Sequence, residues 1–119
     1  MRSLDEFEVG DTATMRRTIR SEDVQAFESL SGDLNPIHHD PDFARRTEMG
    51  EPIVYGALLA SFVSALIGNE IPGAGALWAD QSFRWTAPVH VGDTIEITLT
   101  VTRVAVSVRS IAMGLRATN

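Results

Sequence analysis

The stretch YGALLASFVSALIG, Tyr55 to Gly68, decides the fold. It lies within the longest apolar run of the chain, Ile53 to Ile67, which holds two serines and a glycine. That run is shorter than the roughly 20 residues needed to cross a bilayer. It therefore predicts a buried helix, and no membrane partner is expected. The helix is apolar almost all round, which places it at the centre of a domain. One row differs. Ala57, Ser61, Ser64 and Gly68 follow one another at helical spacing and are all small. Such a row suits either tight packing against a sheet or loop, or the floor of a ligand site.

The segments on either side of this helix read mostly as strands. Thr12 to Arg20 alternates and carries Thr and Ile, after a Gly10-Asp11 turn. Ala76 to Ala87 holds Leu77, Trp78, Phe83 and Trp85, and PVHVGD (Pro88 to Asp93) reads as a hairpin connection. Thr94 to Val104 alternates apolar residues with Thr and Glu, as a strand with one wet face does. Val106 to Ala117 reads as a further strand. From Thr94 to Met113 there is no Gly, Pro, Asn or Asp. A strand that long exceeds the usual 3–10 residues or so. A turn is therefore expected near Arg103-Val104-Ala105, unless the residues that formed it are missing.

Two shorter helices are expected before the long one. Ser21 is the expected cap of the first, with Glu22 and Asp23 in its first turn. Val24, Phe27 and Leu30 form its apolar face, and Gly32 ends it. Asp40 caps the second, with Pro41 at its first position and Asp42 to Thr47 as its body. The predicted class is α+β, a mostly antiparallel sheet wrapped on one apolar helix. Such a sheet leaves an edge and a flank that a partner subunit can cover.

Composition narrows the function classes. The 119 residues suit a single domain, 1–119, with one modest core. A formal net charge of −6 argues against nucleic acid as a partner. There is no cysteine, which excludes disulfides, thiolate metal sites and cysteine nucleophiles, and fits a cytoplasmic protein. The acidic start MRSLDEFEVGD has no apolar core, so it does not read as a signal peptide.

The chemistry concentrates in SGDLNPIHHD, Ser31 to Asp40. Asp33 and His38 are five residues apart, which on a helix would set them about 140° apart. Pro36 moves Asn35 out of the helical region. A bent loop is therefore expected, able to turn a carboxylate and an imidazole toward one small ligand. An imidazole with an ordinary pKa of about 6.5 can take and give a proton near neutrality. His39 points away from its neighbour in an extended chain and reads as non-catalytic. His90 reads as a solvated hairpin residue. A calcium loop is excluded because Pro36 and Ile37 stand where a ligand and a glycine are required. Adjacent histidines share one ion poorly, so no metal is expected. Arg84, between Phe83 and Trp85, suits either a phosphate-bearing ligand or a solvated sheet position.

Taken together, these residues resemble the MaoC-like family of (R)-specific enoyl-CoA hydratases. The family pattern stands as SGDLNPIH and continues through DPDFA, EPIVYG, ALLASFVSALIG, IPGAG and QSFRWTAPVHVGDTI. The resemblance covers the chain to about Val104. It implies a hot-dog fold, an antiparallel sheet around a long central helix, paired as a homodimer. It implies reversible hydration of a trans-2-enoyl-CoA to the (R)-3-hydroxyacyl-CoA, with no cofactor. On this resemblance Asp33 and His38 hold the catalytic water, and the thioester carbonyl meets the Gly56 N–H at the start of the long helix. Ser64 matches a serine lining the site, and Asn35 is expected to brace the loop. Two departures stand out. Tyr55 replaces the histidine usual before the glycine, and the C-terminal hairpin and last strand expected after Val104 are weak or incomplete. Two other readings remain: a 3-hydroxyacyl-ACP dehydratase, or a non-catalytic hot-dog subunit that binds an acyl thioester.

Overall fold

The computed structural model describes residues 2–119. Three strands and three helices follow in the order β1 (Thr12–Thr18), α1 (Ser21–Ser31), α2 (Pro41–Arg45), α3 (Gly56–Asn69), β2 (Thr94–Ala105) and β3 (Ser110–Thr118). Short 3-10 turns lie at Leu4–Glu6, Pro36–His38 and Val106–Val108.

The sheet order is β1-β2-β3. Strand β2 alternates as its sequence requires: Ile95, Ile97, Leu99 and Val101 are buried while Thr94 and Glu96 face out. It pairs antiparallel with β3, Leu99 opposite Leu115 and Val101 opposite Met113. The register slips between Val101 and Arg103. The residue between them, Thr102, donates its hydroxyl to the Ala112 carbonyl at 3.1 Å. On the β1 side, threonine hydroxyls pair across the strands, Thr14 with Thr98 at 3.0 Å and Thr18 with Thr94 at 2.7 Å.

The turn between β2 and β3 comes later than the sequence predicts. Strand β2 runs through Arg103-Val104-Ala105, and the chain reverses at Val106–Val108 with Arg109 at φ 52°. A left-handed conformation costs a residue with a Cβ about 1–2 kcal/mol, so a glycine would ordinarily mark such a turn. A second expected strand is absent. Residues 76–90 join no ladder, and Leu77 is 92% exposed. Aromatic and apolar content there suits a strand, but pairing needs a neighbour of matching register, and most of the segment is exposed.

Helix boundaries also shift. Ser21 is the first helical residue of α1 and not its cap; the cap is Arg20, whose N–H donates to the Asp23 carboxylate at 2.9 Å. Val24 is buried, but Leu30 is 85% exposed and joins no core. Gly32 ends the helix at φ 74°, its N–H on the Glu28 carbonyl. Asp40 caps α2 as expected, its Oδ1 accepting from the Asp42 and Phe43 amides. The helix itself starts at Pro41 and stops at Arg45, two residues before Thr47.

The chain gathers into two compact units. One holds residues 2–16, Ser61–Ser82 and Glu96–Thr118, with a core of Phe7, Phe62, Leu66, Ile67, Ile97, Leu99 and Val101 among others. The other holds Arg17–Ala60, Phe83–Ile95 and Asn119, with Ile19, Val24, Ala44, Val54, Tyr55, Leu58 and Ile95 buried. Helix α3 buries Leu58, Phe62, Val63, Leu66 and Ile67, whereas Ala57, Ser61, Ser64 and Gly68 are exposed. The expectation of burial all round thus holds only for the large side chains, which carry most of the apolar area. No helix among the described residues is long and apolar enough to cross a membrane. The architecture is the α+β hot-dog arrangement, an antiparallel sheet with a long central helix.

Candidate active site

The loop after α1 is built from short-range hydrogen bonds that its sequence dictates. The Ser31 hydroxyl accepts from the Asp33 N–H (3.2 Å), Asp33 Oδ1 from the Asn35 N–H (3.0 Å), and Asn35 Oδ1 from the Ile37 N–H (3.2 Å). Each is a side chain closing on an amide two residues later, the habit of Ser, Asp and Asn in turns. Pro36 opens the 3-10 turn Pro36–His38, where its missing N–H is not needed. Asn35 therefore braces the loop geometrically. Asp33 and Asn35 are exposed, and His38 is half-buried.

His38 is held on two sides. Its Nδ1 donates to the Ile53 carbonyl at 2.8 Å, since a carbonyl only accepts. That bond occupies Nδ1 and leaves Nε2 as the ring nitrogen able to meet a ligand. The imidazole stacks on the Tyr55 ring, centroids 3.9 Å apart at 28°. The Tyr55 hydroxyl donates to the Asp33 carbonyl at 2.9 Å. Tyr55 also packs on Phe27, centroids 4.8 Å apart. Burial pushes its phenol above the ordinary value of 10.0, and the charges of Glu28 and Asp33 add to the rise. Tyr55 thus meets both candidate acid–base residues. The sequence marked it as the chain's single tyrosine and as the residue standing where the family usually has a histidine before Gly56, but gave no sign of these contacts.

Gly56 is the first residue of α3, where a backbone N–H has no acceptor within the helix. The Trp85 indole lies directly on it. Trp85 in turn stacks on Phe83, centroids 5.4 Å apart at 15°. Arg84, between them in sequence, is exposed. Asp33, Asn35, His38, Tyr55, Gly56, Arg84 and Trp85 all belong to one compact unit. Ser64 belongs to the other, exposed on α3.

The remaining histidines take structural bonds. His39 is exposed and donates Nε2 to the Leu34 carbonyl at 3.1 Å. His90 is not freely solvated as expected: its side chain is 26% exposed and donates Nδ1 to the Pro52 carbonyl at 3.0 Å, while its N–H bonds Asp93. The Pro52 and Ile53 carbonyls thus each anchor one histidine.

Comparison with known proteins places the chain. It is 42% identical over 93 residues to the (R)-specific enoyl-CoA hydratase of Rhodospirillum rubrum, covering 78% of this chain and 65% of that one. It is 42% identical over 100 residues to the (R)-specific enoyl-CoA hydratase of Aeromonas caviae, covering 84% and 75%. The chain thus spans just under two-thirds of the first relative's length. The unliganded R-hydratase PhaJ1 of Pseudomonas aeruginosa superposes with a TM-score of 0.87 at 34% identity, over 97% of this chain and 74% of that one. Residues 7–118 match the family model described as the MaoC like domain. With nearly the whole chain inside that match, it belongs to the MaoC-like family.

Proposed function

We propose that the chain is an (R)-specific enoyl-CoA hydratase, adding water to a trans-2-enoyl-CoA to give the (R)-3-hydroxyacyl-CoA and catalysing the reverse dehydration. The observation that carries this reading is the Tyr55-Gly56 step. One side chain holds Asp33 and His38, and the next residue offers a helix-start N–H.

Each part of the chemistry has a candidate group. His38 Nε2 is the free ring nitrogen because Nδ1 is bound to Ile53. Asp33 Oδ1 takes the Asn35 amide and Oδ2 remains to face water. As the water oxygen bonds to C3 of the enoyl group, one member of the pair removes its proton. The other returns a proton to C2. Electron density from the double bond moves onto the thioester oxygen, which the Gly56 N–H stabilises in the transition state. Arg84, exposed beside the Phe83–Trp85 stack, is assigned to the CoA phosphates. Ser64 receives a lining role from the family resemblance alone, and the working form is a homodimer.

The test follows loss of the enoyl absorbance of crotonyl-CoA, with crotonyl-ACP in parallel. Turnover of the CoA thioester, falling about 10²–10⁴-fold in Asp33→Asn, is the expected result. Preference for the ACP thioester would make the protein an acyl-ACP dehydratase. Acyl-CoA binding without turnover, or an Asp33→Asn variant as active as the parent, overturns the hydratase reading.

A further inference from the structure

Tyr55 is only 2% exposed and among the largest fully buried side chains of the chain. A buried phenol needs an acceptor. The acceptor it has is the backbone carbonyl of Asp33, an exposed loop residue that water can also serve. Packing alone does not call for this hydroxyl, because phenylalanine would fill the same space. The hydroxyl ties a polar loop to the core instead.

The ring face adds a second constraint. His38 is fixed in its own plane by the Nδ1–Ile53 bond and across its plane by the Tyr55 stack. Asp33 is fixed at its N–H by Ser31, at Oδ1 by Asn35 and at its carbonyl by Tyr55. Asn35 also bridges the two, its N–H on Asp33 Oδ1 and its carbonyl on the His38 N–H at 3.1 Å, but among these partners Tyr55 is the one that meets both Asp33 and the His38 ring face. We propose that Tyr55 is the positioning residue of the acid–base pair, setting the Asp33 backbone with its hydroxyl and the His38 ring plane with its face. This rests on the hydratase reading above. Tyr55 itself transfers no proton.

Small displacements of reacting groups cost large factors in rate. Losing the hydroxyl frees the Asp33 carbonyl while the ring stack survives. In Tyr55→Phe, kcat for crotonyl-CoA should fall about 10-fold with KM within about twofold, and the melting midpoint should stay close to that of the parent. Phe27→Leu serves as the contrast, since it thins the packing on Tyr55 without touching the loop bonds. It should lower the melting midpoint and leave kcat per folded molecule unchanged.

A third variant reads the stack without any assay of turnover. Ring-current shifts of the His38 imidazole protons should persist in Tyr55→Phe and vanish in Tyr55→Leu. Parent-like kcat in Tyr55→Phe, an equal kcat loss in Phe27→Leu, or unchanged His38 shifts in Tyr55→Leu each overturn this proposal alone. A parent protein without turnover overturns the hydratase reading and takes this proposal with it.

Discussion

The indole of Trp85 fills the space that a side chain on Gly56 would need. A Cβ built on Gly56 would lie 2.9 Å from Trp85 Cε2, 3.0 Å from Cζ2 and 3.1 Å from Nε1. Gly56 has no positive φ, so its backbone conformation is open to any residue. Its neighbour, and not its own torsion, is what demands glycine here.

That contact predicts a coupled pair of substitutions. Gly56→Ala should lose about 1–3 kcal/mol in the parent, the usual cost of overpacking. In a Trp85→Ala background the same change should cost little, because the obstructing ring is gone. Chemical denaturation of the four members of the cycle measures the coupling. An equal loss in both backgrounds would show that the indole is not the constraint.

Tyr55 gives a prediction at alkaline pH. Its folded pKa is raised above the ordinary 10.0, first by burial and then by Glu28 and Asp33. A raised folded value means that the protonated phenol is favoured in the fold. Its contribution to stability is fully present below about pH 10 and is lost as pH rises through the raised folded value. Because the chain has one tyrosine, tyrosinate absorbance reports this group alone. The native titration should lie above the one recorded in denaturant.

Asp23 gives the acid counterpart. Its carboxylate is held below the ordinary value of 3.8, first by the Arg20 N–H and then by the Arg17 guanidinium at 2.9 Å, against the opposing pull of burial. A lowered folded value means stability that is present above the ordinary carboxylate pKa and is lost as pH falls through the folded one. Asp23→Ala should cost on the order of 1 kcal/mol at neutral pH, the scale of a helix-end cap. The deficit should shrink in strong acid, where the parent has also lost the interaction. A deficit independent of pH would assign it to helix packing.

What the sequence revealed divides by range. Asp40-Pro41 announced a helix start because a cap and its amides are neighbours in the chain. The long apolar run marked α3, and alternation marked β2, because a repeated pattern survives local exceptions. Leu30 misled because hydropathy describes a residue and not what lies across from it. The β2–β3 turn was hidden because Arg109 takes the conformation a glycine would have advertised. In the site, SGDLNPIH announced a bent loop braced by Asn35, because the bonds that form it span only two or three residues. The bonds that fix its orientation, from Ile53 and Tyr55, come from 15 and 22 positions away. Nothing local to the loop encodes them.

The hydroxyl on Asp33, the ring face on His38 and the N–H at the start of α3 belong to two successive residues, Tyr55 and Gly56. Fraying of that single helical turn releases all three at once. The site therefore has an opening free energy of its own, set by the first turn of α3. Amide exchange at Leu59, whose N–H bonds the Tyr55 carbonyl at 3.3 Å, would track that quantity, apart from the melting of the sheet.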